Sequence, residues 1–248
     1  MIPLKSKQDI EMMRASGRIL AKIMKQLQKI IKPGISTGEI NALTEELIAV
    51  EKASAAFKGY KGFPAAVCTS INEEIVHGIP GNRKLEAGDI ISLDLGINYQ
   101  GYYSDAAVTM PVGNVERKKQ KLIDVTKNAL YEGIKQAKAN RNLSDISYGI
   151  QNYVENNGFS VVRQFVGHGI GHKLHEEPEI PNFGRPHQGP VLKSGMVLAI
   201  EPMVNMGTWE SRILDNGWTA VTEDGLPSAH FEHTVAITNQ GAEILTKE

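Results

Sequence analysis

Residues 85–112 read LEAGDIISLDLGINYQGYYSDAAVTMPV, a pattern that predicts two long strands joined by a tight turn. The tetrad at 98–101, Asn-Tyr-Gln-Gly, is rich in turn-forming residues. A hairpin centred on this tetrad pairs Asp94 with Asp105 and places their Cβ atoms roughly 5 Å apart. Like charges in that arrangement destabilise a sheet unless a cation lies between them, so the hairpin predicts a metal-binding pair of carboxylates.

The pattern around this hairpin recurs later in the chain. The interval between Asp94 and Glu201 is 107 residues, and a Leu-x-x-Gly motif precedes each acid at the same interval. A serine that opens a helical pattern also recurs, at Ser36 and Ser144, 108 residues apart. Chance agreement between short patterns is one explanation, but we favour a duplicated helix–helix–strand unit. A fold with two such halves would have its site in the seam between them.

Apolar periodicity predicts four amphipathic helices, with Ser6 and Ser36 placed as N-caps of the first two. The helices are expected at about 7–31, 36–47, 116–138 and 145–156. Strands are expected at 65–70, 89–96, 102–112, 160–166, 196–204 and 233–238.

Composition sets limits on the kind of protein. The chain has 248 residues, 41% of them hydrophobic, so we expect one domain over 1–248. A net charge of −1 predicts no bulk attraction to nucleic acid or to anionic membranes. Cys68 is the only cysteine, which excludes an internal disulfide and a thiolate zinc cluster. Residues 1–20 contain no apolar stretch as long as a signal peptide or membrane span, so a cytoplasmic protein is expected.

Two further acids and one histidine extend the candidate site. Glu201 ends an apolar run, Glu232 precedes another, and His168 lies within the glycine-rich stretch VGHGIG. Each acid alone is more typical of a strand edge that faces water, and a lone histidine in such a loop is more often structural. Four acids in four separate apolar strands are costly to bury without cations. Their charge matches two divalent ions, and the donor set favours Mn, Fe(II) or Co.

Six motifs follow one another over nearly the whole chain. They are VCTSINE at 67–73, HGIP at 77–80, GHGIG at 167–171, HEEP at 175–178, IEP at 200–202 and FEHT at 231–234. In this order, together with Asp94 and Asp105, they closely resemble the type I methionine aminopeptidases of peptidase family M24A, in the short bacterial form. The resemblance implies the α+β pita-bread fold, in which pseudo-two-fold halves share a central antiparallel sheet covered by helices.

The resemblance also implies a dinuclear metal centre. Asp94 would bind one divalent ion, His168 and Glu201 the other, and Asp105 and Glu232 would bridge both. A hydroxide held between the ions would attack the carbonyl that follows the first methionine. The ions could be Co, Fe(II), Mn or Zn, among which the sequence does not decide. Relatives that hold a monovalent cation suggest one more cation site, whose matching positions here are Asn72 and Ser228.

Further roles follow from the same resemblance. His175 would donate a hydrogen bond to the oxyanion or the peptide, His77 would contact the leaving-group side, and Glu201 would carry a proton. The methionine side chain would lie among sulfur and aromatic groups, which suit each other. This pocket would comprise Tyr60, Phe63, Cys68 and Trp218, with Phe57 nearby, although ordinary core packing accounts for these residues equally well. Leu174, where one common family version has Phe, leaves the finer selectivity of the pocket open, as does Phe63.

The implied function is removal of the N-terminal methionine from nascent proteins and peptides whose second residue is small. We expect such an enzyme to be a monomer that meets nascent N-termini near the ribosome. An X-Pro aminopeptidase or dipeptidase of the same fold is one alternative, and a non-catalytic pita-bread binding module is another. Retention of all five ligands with His77 and His175 argues against the binding module. A calcium protein is least favoured, because it would use mostly oxygen donors.

Overall fold

The computed structural model describes residues 2–247, which form four long helices and fifteen strands. The helices are α1 Lys7–Ile30, α2 Thr37–Val50, α3 Arg117–Gln136 and α4 Leu143–Asn156. The strands are β1 Ser54–Ala55, β2 Cys68–Ile71, β3 Glu74–Val76, β4 Ile90–Tyr99, β5 Tyr102–Pro111, β6 Ser160–Val161, β7 Gly167–Gly169, β8 Glu176–Ile180, β9 Val197–Ile200, β10 Met203–Asn205, β11 Ser211–Ile213, β12 Ala220–Thr222, β13 Ser228–His230, β14 His233–Thr238 and β15 Gly241–Ile244. The predicted α+β class is confirmed. None of the helices in this range is both long enough and apolar enough to cross a membrane.

The helix starts are set by side-chain caps. Ser6 and Ser36 are the N-caps of α1 and α2, as predicted, and each forms a capping box with the acid three residues later. The start predicted near Ser144 is confirmed to within about one residue, since α4 begins at Leu143, and its N-cap is Asn142. The Asn142 N–H donates to the Asp145 carboxylate at 3.2 Å, whereas the Ser144 hydroxyl accepts from a loop N–H.

The β4–β5 hairpin carries the first two acids, and its register differs from the prediction. Its central turn residues are Gln100 and Gly101, both at positive φ, which is the conformation that matches the twist of antiparallel strands. The turn therefore lies one residue later, so Asp94 pairs with Ala107 and Asp105 pairs with Gly96. A shift of two in the pairing keeps every side chain on its predicted face. Both carboxylates consequently face the same side as diagonal neighbours.

Two of the predicted strands are shorter in the structure than the sequence pattern indicates. The run at 196–204 divides into β9 and β10, because Pro202 has no N–H to continue the ladder after Glu201. The run at 160–166 keeps only β6, since the chain turns away at Arg163. There the guanidinium lies over two aromatic rings, 5.3 Å from the centre of Phe183 and 4.7 Å from that of Trp209.

The two halves predicted from the repeat are present. Helices α2 and α4 both have 14 residues, and they begin 106 residues apart. Each N-cap forms an isolated bridge to the segment before an acid-bearing strand, Ser36 with Lys84 and Asn142 with Val191. Each half also has its own apolar core, one around α1, α2 and β4 and the other around α3, α4 and β9. The acids lie where the two halves meet.

Candidate metal centre

A cavity of about 170 Å³ lies in the seam between the halves, and every residue predicted for the site lines it. The five predicted ligands line this cavity together with an apolar lobe, in which Tyr60, Phe63, Cys68 and Trp218 belong to one apolar cluster with Phe57 and Leu174. His77 and His175 line the same space. The full lining is Phe57, Tyr60, Lys61, Phe63, Cys68, His77, Asp94, Asp105, His168, Leu174, His175, Glu201, Trp218 and Glu232.

The two halves are joined by hydrogen bonds next to two of the acids. The Thr234 hydroxyl accepts from the Asp105 N–H at 2.9 Å and donates to the Asp105 carbonyl at 2.8 Å. The Glu232 N–H donates to the Ala107 carbonyl at 2.9 Å. The backbones that carry Asp105 and Glu232 are therefore held beside each other across the seam. Their carboxylates thus have fixed starting points on opposite halves.

His168 joins this group from β7. Its Nδ1 lies 2.8 Å from the Gly169 carbonyl, which leaves Nε2 to face the acids. Metal-binding histidines are commonly oriented in this way through their second ring nitrogen. Nε2 lies 3.6 Å from Glu201 Oε1, and ligand atoms of Asp105, His168 and Glu232 all lie within 4.8 Å of one another.

The acids are strongly perturbed by their surroundings. Burial raises the pKa of Asp94 to about 7 and that of Glu201 to about 7. Burial and the neighbouring carboxylates raise the pKa of Asp105 and of Glu232 well above the usual range. One carboxylate oxygen each of Asp94, Asp105 and Glu232 is buried and accepts no hydrogen bond from the residues that the structure describes. Clustered oxygens without donors, with one imidazole beside them, fit divalent cations of hard or borderline character.

The two predicted catalytic histidines are uncharged. Burial, with the nearby His168 and Lys61, lowers the pKa of His175 to about 3. Burial and His230 lower the pKa of His77 to about 4. The His175 ring lies 4.1 Å from that of His168 and stacks at 5.2 Å on Tyr60, so it stands between the acids and the apolar lobe. A neutral imidazole at that place can donate one hydrogen bond into the cavity.

The apolar lobe is built from contacts between aromatic and sulfur groups. Phe63 meets Trp218 edge-to-face at 5.2 Å. Cys68 pairs with Asp94 in the β2–β4 ladder, so its thiol and the carboxylate lie on the same face. Burial and the nearby acids raise the pKa of Cys68, which keeps it a neutral, polarisable thiol. At Gly96 an added Cβ would lie 2.6 Å from the Phe57 ring, so this glycine leaves room for the wall of the lobe.

The positions predicted for a monovalent cation are adjacent. The Ser228 N–H donates to the Asn72 carbonyl at 2.8 Å. The Lys119 ammonium lies 2.7 Å from the Gly88 carbonyl and 3.2 Å from the Asn72 side-chain oxygen. A positive charge is therefore already present at this point, and a further cation there stays a prediction.

Two residues near the site were missed by reasoning from the sequence. Lys61 lines the cavity, and its ammonium lies 5.5 Å from the centre of the Tyr60 ring. His230, which lies just before the FEHT motif and was not predicted for the site, has Nε2 3.6 Å from Glu201 Oε2. Its place two residues before Glu232 is the one signal that could have indicated it, because such residues can share a face of an extended chain.

The fold and the buried carboxylate–histidine cluster define the class of metal-dependent peptidases. The family model for metallopeptidase family M24 matches residues 11–239. The methionine aminopeptidase 1 of Bacillus subtilis is 53% identical over 247 residues, covering 100% of both chains, and the methionine aminopeptidase of Clostridium perfringens is 52% identical over 246 residues, covering 99% of both. The solved methionine aminopeptidase of Thermotoga maritima has a TM-score of 0.98 and 47% identity, with 100% of both chains covered. The chain belongs to metallopeptidase family M24 and, within it, to the methionine aminopeptidases.

Proposed function

We propose that this protein removes the N-terminal methionine from nascent proteins and peptides whose second residue is small, as a step of protein maturation. One observation carries the proposal. The apolar lobe opens directly onto the buried acids in a single cavity, so a methionine side chain in the lobe would place its carbonyl at the acids. The family membership and the names of the relatives support the same reaction.

The residues would hold two divalent cations in the arrangement given by the family resemblance. Asp94 would bind one ion, His168 and Glu201 the other, and Asp105 and Glu232 both. The ions, whether Co, Fe(II), Mn or Zn, would polarise the scissile carbonyl and activate water at neutral pH. The four acids together carry the charge that two divalent ions neutralise. One ion would leave a surplus of buried negative charge.

The chain's other groups would then orient the peptide and move the proton. His175, uncharged and next to His168, would donate a hydrogen bond to the peptide carbonyl as negative charge develops on it. Glu201, whose side chain is 13% exposed and close to two imidazoles, would carry the proton from water to the leaving amine. His77 would contact the second residue, and its edge-to-face packing on Phe165 at 5.6 Å leaves that side crowded. Such crowding supports the preference for a small second residue.

The proposal extends to the setting of the protein. We treat 1–248 as one catalytic domain, because both halves supply ligands to the same centre. The partners would be nascent N-termini near the ribosome, and the protein would act as a monomer in the cytoplasm without binding nucleic acid or membrane. Cys68 is unpaired and buried, which suits a reducing compartment.

The test is anaerobic peptide cleavage by metal-stripped protein to which Mn, Fe(II), Co or Zn is returned. The substrates are Met-Ala-Ser, Met-Ile-Ser and Ala-Pro-Ser. We expect metal-dependent release of methionine from Met-Ala-Ser alone. His175→Ala should abolish most of that activity, whereas His187→Ala, at a histidine whose side chain is 82% exposed, should leave it unchanged. Cleavage of Ala-Pro-Ser would instead favour an X-Pro peptidase, and no cleavage by folded protein with any metal would favour a binding module.

A further inference from the structure

His230 is held by its backbone next to the acids, with its Nε2 3.6 Å from Glu201 Oε2. It is the last residue of β13, where it pairs with Met203 of β10. The Thr109 hydroxyl accepts from the His230 N–H at 2.7 Å and donates to the His230 carbonyl at 2.8 Å. The Thr109 hydroxyl also lies 2.7 Å from the Ser92 hydroxyl. The main chain at His230 is therefore fixed on two sides, and the direction of its ring follows from the fold.

The ring of His230 is buried and has no hydrogen-bond partner among residues 2–247. His230 is 1% exposed, and no donor or acceptor of the described part of the chain lies within hydrogen-bond distance of Nδ1 or Nε2. An imidazole always offers at least one N–H, and leaving a buried polar group unsatisfied costs about 1–3 kcal/mol. Such a residue calls for a specific explanation. Packing alone does not provide one, because an apolar side chain would fill the space without that cost.

The neighbours of the ring are groups of the metal centre. Nε2 lies 3.6 Å from Glu201 Oε2, and Asp94 and His77 are close enough to interact electrostatically with it. Glu201 is thus flanked by two imidazoles, since Nε2 of His168 lies 3.6 Å from the other carboxylate oxygen. The two imidazoles differ in one respect. His168 has its Nδ1 engaged with a carbonyl, whereas the Nδ1 of His230 is unengaged.

This difference assigns different tasks to the two rings. The tethered ring of His168 suits a metal ligand, whose tautomer is fixed by the second nitrogen. The untethered ring of His230 is free to present an N–H at Nε2. A closer approach of about 0.5 Å would bring Nε2 within the usual hydrogen-bond distance of Oε2. Hydrogen bonds in such sites are often long before the ligand is bound.

We propose that His230 is a positioning residue of the metal centre, whose Nε2–H donates to Glu201 Oε2 and fixes the direction in which Glu201 presents its other oxygen. The inference rests on the proposed function for the identity of the centre. Partners of metal-binding carboxylates and histidines typically change metal affinity or activity 10–100-fold when they are removed. A change in this range is therefore expected when the donor is lost.

The test compares three substitutions of His230 in the 248-residue protein. His230→Gln places an amide N–H near the position of Nε2, His230→Asn places one near Nδ1 instead, and His230→Leu removes the donor. Mn(II) affinity of the metal-stripped proteins is measured by titration calorimetry, and kcat and KM are measured with Met-Ala-Ser. The free energy of unfolding without metal is measured for each variant.

We expect His230→Leu and His230→Asn to weaken Mn(II) binding 10–100-fold and to lower kcat more than they raise KM. His230→Gln should recover most of the affinity, which a purely structural role would not predict. Equal affinity in all four proteins would overturn the proposal, as would equal loss in the Gln and Asn variants. If His230→Leu does not fold, the comparison of Mn(II) affinity between His230→Gln and His230→Asn still tests the proposal. Because Mn(II) affinity does not depend on the substrate, failure of the parent protein to cleave Met-Ala-Ser would contradict the proposed function without deciding the role of His230.

Discussion

Replacing Asp94 by asparagine is expected to make the metal-free protein more stable, although it removes a residue proposed to bind metal. Burial raises the pKa of Asp94 from 3.8 to about 7, so the folded chain resists ionisation of this group. An acid with a raised folded-state pKa stabilises the fold at low pH and loses that contribution as the pH rises towards the folded-state value. At 1.36 kcal/mol per pKa unit, the raised pKa of Asp94 lowers the stability of the metal-free fold, relative to low pH, by on the order of 4 kcal/mol at pH 7.5 and about 2 kcal/mol at pH 5.

The assay is urea unfolding of chelator-treated Asp94→Asn and parent protein at both pH values. We expect the variant to have the higher free energy of unfolding at pH 7.5, with the difference smaller at pH 5. Asp124→Asn, at an exposed acid on α3, is the matched control and should change stability little at either pH. Added Mn(II) should narrow the difference at pH 7.5, because an ion adds about 2.7 kcal/mol at 100 times its Kd and about 4.1 kcal/mol at 1,000 times its Kd to a protein that binds it.

One result would refute this reasoning. If metal-free Asp94→Asn is no more stable than the parent protein at pH 7.5, the carboxylate is satisfied by the fold itself. The cluster would then be a structural network of shared protons rather than a site that is incomplete without cations.

Three further substitutions test the walls of the site. Gly96→Ala brings a methyl group 2.6 Å from the Phe57 ring, so KM for Met-Ala-Ser should rise and the protein should lose about 1–3 kcal/mol of stability, as measured by peptide kinetics and urea unfolding. Leu174→Ala, at a residue 3% exposed, should cost about 2–5 kcal/mol in urea unfolding and should let methionine analogues with bulkier side chains compete better for the lobe. Lys5→Met removes the partner of the buried Glu176 carboxylate, and a loss of about 3–5 kcal/mol is expected by thermal and urea unfolding; stability equal to that of the parent would show that water replaces the lysine.

Much of the site could be predicted because its residues conflict with their local surroundings. Asp94 lies in the run IISLDL, where a carboxylate has no local reason to be, and its burial in β4 follows from the apolar residues around it. Glu201 stands out in the same way at the end of β9. The helix starts at Ser6 and Ser36 were equally predictable, since the serine and the acid that form each capping box lie within four consecutive residues. Features fixed by neighbouring residues along the chain are visible in the sequence.

Features fixed by contacts between distant segments were not predictable in this way. The hairpin register depended on which two of the residues at 98–101 adopt positive φ, and the choice of Gln100 and Gly101 is a matter of strand twist. The proximity of His230 to Glu201 depends on the pairing of β13 with β10, which sets His230 opposite Met203, and no local pattern encodes that pairing. In the sequence, His230 therefore resembles an ordinary buried histidine. Only the fold shows that its Nε2 lies 3.6 Å from Glu201 Oε2.

The division of the acids between the halves explains why the centre lies where it does. Asp94 and Asp105 come from the hairpin of the first half, whereas Glu201 and Glu232 come from the second. Each half has an apolar core of its own, so the cores do not need the acids for stability. At the seam, however, the hydrogen bonds beside Asp105 and Glu232 bring the two acidic pairs together, and mutual repulsion opposes that approach. Cations that neutralise all four carboxylates would therefore stabilise the joining of the halves, so a catalytic centre in this seam would also be part of what holds it closed.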